Sequence, residues 1–75
     1  MRGSCIYSQL MVQMYLAGVD NKTLAQRTGI TYSSLRRKLR GQTRIQLEEA
    51  RLIRGALGCE MPLDQLFERA EEQHG

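Results

Sequence analysis

The chain has few of the residues that build catalytic or metal sites. It contains one histidine, His74, two widely separated cysteines, Cys5 and Cys59, and no tryptophan. A single imidazole near the C-terminus cannot complete a Ser/His/Asp set, and two isolated thiols do not form a zinc site with its usual four ligands. A glycine-rich loop that could cradle phosphate is also missing. We therefore expect no enzyme activity, no catalytic residues, no bound metal and no cofactor.

Signals for secretion or membrane insertion are also missing. The chain has no basic-then-apolar leader, and its uncharged stretch from Gly3 to Val19 is short and interrupted by polar residues. Such a stretch does not meet the requirement of about 20 apolar residues for a transmembrane helix. Cys5 and Cys59 could pair in an oxidising compartment, but without a secretory signal two reduced thiols are favoured. The expected location is the bacterial cytoplasm or nucleoid.

One proline and 41% hydrophobic residues favour a folded, all-α chain. Apolar residues recur at helical spacing, and no run of strand-type alternation occurs. We predict one domain over residues 1–75, a compact bundle with five helices at about 4–17, 21–28, 32–40, 47–57 and 62–71.

Helix boundaries are marked by capping residues and glycines. Asp20 and Thr31 are predicted N-caps of the second and third helices, and Gly29 between them suits a left-handed turn. For the fourth helix Gln46 is a poor cap, and Thr43 would start that helix earlier. The residues expected to face inward include Leu10 and Met14, Leu35 and Leu39, Leu47, Ala50, Ile53 and Leu57, and then Leu63, Leu66, Phe67 and Ala70.

Charge is unevenly distributed along the chain. Residues 1–19 carry +1, residues 20–44 carry a net +6, and residues 45–75 carry a net −4. The basic middle segment contains a single acid, Asp20, and the run from Arg36 to Arg40 contains none. Ordinary solvated helix faces mix acidic and basic side chains, so this segregation favours a surface that meets a polyanion.

Two short helices joined by a turn at Gly29 predict a helix-turn-helix. The run LAQRTGIT at 24–31, followed by SLRRKLRG at 34–41, resembles the DNA-binding domains of the lambda-repressor, Cro and XRE-type family. Further matching segments are LEEA at 47–50, ALG at 56–58 and LDQLF at 63–67, so the resemblance covers about residues 6–69. It implies a five-helix domain in which helices 2 and 3 form the helix-turn-helix and helix 3 enters the DNA major groove.

The resemblance also implies roles for individual residues. Tyr32, Ser33 and Arg37 occupy the positions at which the family reads bases, and Arg37 is the strongest candidate because a guanidinium can bond guanine O6 and N7 together. Contacts to the phosphate backbone are expected from a larger set. Its members are Asn21, Thr31, Arg36, Lys38, Arg40, Gln42 and Arg44.

The predicted function is a transcriptional regulator of the phage, prophage or bacterial repressor type that binds double-stranded DNA, acting as a homodimer on a two-fold operator. A protein-interaction or assembly module with the same fold, including an antitoxin-like partner, is the alternative. In the first helix Val12, Tyr15 and Leu16 point away from the expected core. We expect the C-terminal segment, a second subunit or another protein partner to cover them, because exposed apolar patches are unfavourable in water.

Overall fold

The computed structural model describes residues 5–69, which form five α-helices and no β-strand. The helices are α1 (Ser8–Ala17), α2 (Asn21–Thr28), α3 (Tyr32–Leu39), α4 (Leu47–Leu57) and α5 (Leu63–Leu66). The prediction of an all-α domain with five helices is confirmed. The bounds of α2 and α4 agree with the sequence prediction, and those of the other three helices differ.

Every helix contributes at least one fully buried side chain to a single core. These side chains are Leu10, Leu24, Leu35, Leu39, Ile53 and Leu66. Each buried leucine or isoleucine stabilises the fold by roughly 1.5–3 kcal/mol relative to an exposed position. Because α3 supplies two of them, the orientation of this helix about its own axis is fixed by the core.

The predicted caps of α2 and α3 are present. Asp20 Oδ1 accepts a hydrogen bond of 2.8 Å from the Thr23 backbone N–H, and Thr31 Oγ1 accepts one of 3.3 Å from the Ser34 N–H. Gly29, which ends α2, has φ +79°, a left-handed conformation that glycine adopts without a Cβ penalty. These local interactions set where both helices begin and where α2 ends.

The first helix begins at Ser8, and the prediction that it begins at residue 4 is wrong. Residues 5–7 are not helical, and the Ile6 backbone N–H donates a 2.9 Å hydrogen bond to the Leu39 carbonyl. Tyr7 forms an isolated antiparallel bridge with Arg69. Backbone groups that a helix would have paired internally are paired here with the end of α3 and with the chain after α5.

The third and fifth helices are shorter than predicted. Helix α3 ends at Leu39, and Arg40 is its C-cap. Helix α5 is a single turn, after which the Phe67 ring packs edge-on against Tyr7, with the two ring centroids 5.5 Å apart. This contact and the bridge to Tyr7 turn the chain back across the N-terminal segment. The predicted inward position of Ala70 and the predicted helix end at 71 lie outside the described residues.

The start of α4 corrects two expectations. Leu47 was expected to face inward, but its side chain is 60% exposed because it is the first helical residue and projects beyond the core. The cap is Gln46 rather than Thr43, and the Gln46 backbone N–H donates a 3.0 Å hydrogen bond to Glu49 Oε1. The carboxylate at the third helical position satisfies the cap residue's N–H, so the helix begins at Leu47 despite a weak cap residue.

Candidate nucleic-acid interface

Helix α2 is anchored to the rest of the domain and joined to α3 by the three residues 29–31. Arg27 Nη1 donates a 3.0 Å hydrogen bond to the Ala56 carbonyl near the end of α4. The buried Thr28 hydroxyl donates one of 2.8 Å to the Leu24 carbonyl, so its burial leaves no polar group unsatisfied. The Arg27 hydrogen bond holds α2 against α4, and the short link at 29–31 restricts where α3 can lie relative to α2.

Helix α3 has one buried face and one exposed face. Leu35 is 0% exposed and Leu39 is 1% exposed, as the sequence predicts. The opposite side of α3 is exposed. Its side chains are those of Tyr32, Ser33, Arg36 and Arg37, together with Arg40 at the C-cap. The structure therefore brings the three predicted base-reading residues and two of the predicted phosphate-binding residues onto one surface.

This surface is cationic, and carboxylates of the described residues do not neutralise it. Within residues 5–69, the one ion pair shorter than 4.0 Å joins Lys38 to Glu49, so Arg36, Arg37 and Arg40 have no such pair there. The Arg36 guanidinium lies 5.7 Å from the centroid of the Tyr32 ring, a cation–π distance. The cations on the outer side of α3 thus remain available to an external anion.

Lys38 has a different environment from its arginine neighbours. Its ammonium nitrogen lies 3.4 Å from Glu49 Oε1 and donates a 3.3 Å hydrogen bond to the Arg44 carbonyl. Both partners belong to the protein, and the lysine side chain is only 15% exposed. Lys38 therefore lies toward the start of α4, and its predicted contact with phosphate would require it to leave these partners.

The loop after α3 carries two more predicted phosphate ligands on an ordered backbone. The Gln42 backbone N–H donates a 2.9 Å hydrogen bond to the Arg37 carbonyl, and the Gly41 N–H donates one of 3.1 Å to the Lys38 carbonyl. Gln42 and Arg44 are both exposed. Their backbone is tied to the last turn of α3, so both side chains project from the same end of that helix.

The first turn of α2 forms the other edge of the surface. Asn21 is half-buried and lines a shallow depression together with Asp20, Lys22 and Tyr32. Thr31, the cap of α3, is exposed. Lys22 is a cation that the sequence reasoning did not include in the site, although its position next to Asn21 was a signal for it.

Asp20 is the single acid on this edge, and its carboxylate is engaged in capping. The hydrogen bond from the Thr23 backbone N–H holds the pKa of the Asp20 carboxyl below its ordinary value of 3.8, because that bond favours the charged form. Its negative charge compensates the positive end of the α2 dipole.

A second exposed surface, on α1, is apolar rather than charged. Tyr15 is 84% exposed and Leu16 is 71% exposed, and Met11 and Val12 are each 47% exposed. No charged residue occurs in α1. At ten residues this helix is too short for a bilayer, and none of the helices described in residues 5–69 is long and apolar enough to cross one.

Comparisons of the chain with protein-family models, with curated proteins and with solved structures found no significant match. The interpretation of the site therefore depends on its own residues. These are a helix whose buried leucines leave tyrosine, serine and arginine exposed, and a loop that adds further polar and basic groups beside it.

Proposed function

We propose that this protein is a sequence-specific, double-stranded DNA-binding transcriptional regulator in which α2 and α3 act as a helix-turn-helix. The observation that carries the proposal is the two-sided character of α3. Leu35 and Leu39 are buried in the core, and the arginines on the outer side have no carboxylate partner within residues 5–69. A helix that packs against its own domain through an apolar face and carries cations on the opposite face is suited to a groove of the double helix.

The dimensions and chemistry of α3 support insertion into the major groove. An α-helix with its side chains is about 10–12 Å across, and the major groove is about 12 Å wide, so the groove can accommodate α3. Tyr32 and Ser33 stand at the N-terminal end of α3, where recognition helices reach base edges. In this proposal Arg37 bonds guanine, Ser33 bonds a base edge, and Tyr32 contacts a thymine methyl group or a phosphate.

The residues around α3 then contact the phosphate backbone. Arg36, Arg40, Gln42 and Arg44 are exposed around the C-terminal part of α3, and Asn21 and Thr31 lie at its N-terminal edge. Contacts to phosphates orient a protein on DNA but carry no sequence information. Each neutralised phosphate releases condensed counterions, so the affinity should fall steeply with salt.

A homodimer is the form that we propose to act on DNA. One recognition helix reads only a few base pairs, which is too few to select one site in a genome. Two copies related by a two-fold axis would place their α3 helices about 34 Å apart, one turn of DNA.

The second candidate function is a protein-docking module, and the exposed apolar face of α1 is the observation that favours it. A docking module would bind its partner with little dependence on salt and would tolerate loss of Arg37. A DNA-binding protein would show the opposite behaviour in both respects.

Selection from a pool of random duplexes tests the proposal and separates the two candidates. We expect enrichment of a two-fold symmetric motif, followed by binding whose affinity decreases steeply between low and physiological salt. Absence of any enriched motif, together with salt-independent capture of a protein partner, would contradict DNA binding and support the docking module.

A further inference from the structure

The ring of Tyr32 lies where α2 and α3 meet, and the fold restricts its position. Tyr32 is the first residue of α3, and the hydrogen bond from the Ser34 N–H to Thr31 Oγ1 fixes the turn from which it projects. Tyr32 is 44% exposed, and it lines one shallow depression with Asn21 of α2 and another with Ile30 of the turn. The ring therefore adjoins α2 and the turn and still presents part of its surface to solvent.

The guanidinium of Arg36 lies over this ring. Its Cζ atom is 5.7 Å from the ring centroid. Four residues separate Tyr32 from Arg36, so both side chains lie on one side of α3, away from the buried Leu35 and Leu39. Within residues 5–69 the Arg36 side chain has neither an ion pair nor a hydrogen bond. The ring is thus the polar partner that orients this guanidinium in the described chain.

A contact with the ring leaves the guanidinium able to bind an anion. A guanidinium that contacts a ring through its planar face keeps its N–H donors at its edge, where they can form paired bonds to a phosphate. An arginine side chain loses conformational freedom when it binds, and a group that is already oriented loses less. The ring can therefore strengthen a bond that it does not itself make.

Arg40 provides the internal comparison. It is also exposed, at the C-cap of α3, and it also lacks an ion pair within residues 5–69. No aromatic ring of the described residues lies at cation–π distance from it. Two arginines of one helix thus differ in whether a ring holds them.

We propose that Tyr32 is a positioning residue for Arg36, whose guanidinium its ring holds in the orientation that binds a backbone phosphate of the duplex. The proposal rests on the proposed DNA-binding function. It adds to the direct contact of Tyr32 with DNA a second role, exerted through Arg36 by the ring and not by the hydroxyl. Tyr32→Phe should therefore preserve this role, and Tyr32→Leu should remove it.

Nuclear magnetic resonance of the free, isotope-labelled protein tests the ring contact without DNA. The ring current of Tyr32 should move the Arg36 Hδ resonances to higher field than those of Arg40. Tyr32→Phe should keep this difference, and Tyr32→Leu should abolish it. Circular dichroism of the same samples checks that the helices are kept. Arg36 resonances that stay unchanged in a folded Tyr32→Leu protein would overturn the proposal, and so would the absence of any difference from Arg40 in the unaltered protein.

A double-mutant cycle at fixed salt tests whether the contact matters for binding. We expect the loss of duplex affinity caused by Arg36→Gln to be about two- to five-fold smaller when residue 32 is already leucine, which is the range of an exposed cation–π contact. With phenylalanine at residue 32 the loss should equal that in the unaltered background. Arg40→Gln is the matched control, and its effect should be the same with tyrosine or leucine at residue 32. Additive effects for Tyr32→Leu and Arg36→Gln, or equal coupling to Arg40, would overturn the proposal.

These outcomes also separate this proposal from the one on which it rests. If the unaltered protein binds a selected duplex with a steep salt slope while the cycle is additive, only the positioning role fails. If the unaltered protein binds no duplex, the DNA-binding function and the positioning role fail together.

Discussion

Lys38 Nζ lies 3.4 Å from Glu49 Oε1, and this ion pair joins the last turn of α3 to the first turn of α4. Glu49 also accepts the hydrogen bond from the Gln46 backbone N–H that closes the start of α4. Lys38 in turn donates to the Arg44 carbonyl in the intervening loop. The side chains of Lys38 and Glu49 therefore join α3, the loop after it and α4.

Breaking this pair should affect stability more than it affects DNA binding. We expect Lys38→Met and Glu49→Gln each to lower the free energy of unfolding by about 0.5–1 kcal/mol, because the pair is partly exposed to solvent. Denaturant unfolding of both single variants and the double variant measures the coupling. If Lys38 binds phosphate instead, Lys38→Met alone will make the salt slope of DNA binding shallower by about one unit.

Arg37 should determine preference at one base pair. Its side chain is exposed on α3 and has no ion pair within residues 5–69, so truncation leaves the core intact. We expect Arg37→Ala to reduce discrimination at one position of the selected motif by about 1–3 kcal/mol. Competition between duplexes that differ at single positions measures it, with Arg51→Ala as the control. An unchanged preference at every position would remove Arg37 from the base-reading set.

Two glycines should respond oppositely to alanine. Gly41 has φ +83°, and a Cβ there would lie 2.6 Å from Ile6 Cδ1, so Gly41→Ala should destabilise the domain by at least 1 kcal/mol. Gly55 lies within α4, where a Cβ would meet nothing within 4 Å, so Gly55→Ala should stabilise it by about 0.5–1 kcal/mol. Thermal unfolding of the two variants measures the difference. A stable Gly41→Ala protein would contradict the close packing of residues 5–7 against this loop.

The cap of α2 should make stability depend on pH in acid. The pKa of the Asp20 carboxyl is lowered in the folded chain by the Thr23 N–H, so its contribution is present above 3.8 and is lost as the pH falls through the folded pKa. We expect Asp20→Ala to be less stable than the unaltered chain at pH 7, with the gap narrowing as the pH falls below 3.8. Urea unfolding across this range is the measurement. Asp20→Asn keeps a capping oxygen without a titrating group, and a gap independent of pH would rule out the charged cap.

The apolar face of α1 should hold two copies together. With no charged residue in α1, two such faces can meet without like-charge repulsion or charge burial. We expect Tyr15→Ser with Leu16→Ser to shift sedimentation from dimer to monomer while the helical content at low temperature is kept, since both side chains lie outside the core of the single domain. Leu52→Ser, on α4, is the control. A dimer that survives the double change would place its interface elsewhere.

Much of the local structure could be predicted from neighbouring residues. Asp20 and Thr31 cap helices through backbone N–H groups three residues later in the chain, and such contacts follow from sequence spacing alone. The burial of Leu35 and Leu39 follows from their four-residue spacing, which puts them on one face of any helix. The exposed arginines of α3 were predictable for the same reason.

The errors in prediction occurred where distant segments meet. The sequence around Cys5 to Tyr7 has no local feature that forbids a helix, yet its backbone pairs with Leu39 and Arg69. Leu47 continued the apolar spacing of α4, but its side chain projects past the end of the core. The spacing of apolar residues could not predict either result, because it indicates which face of a helix is apolar and not where the core ends.

The amino-acid order by itself determined an all-α chain, its capped second and third helices, and the clustering of positive charge on the outer side of α3. Those features depend on residues within one or two helical turns of each other. Only the tertiary structure decided that Lys38 turns toward Glu49 and that Arg69 lies beside Gly41. Such pairings join segments far apart in the chain, and their geometry exists only after the common core has brought those segments together.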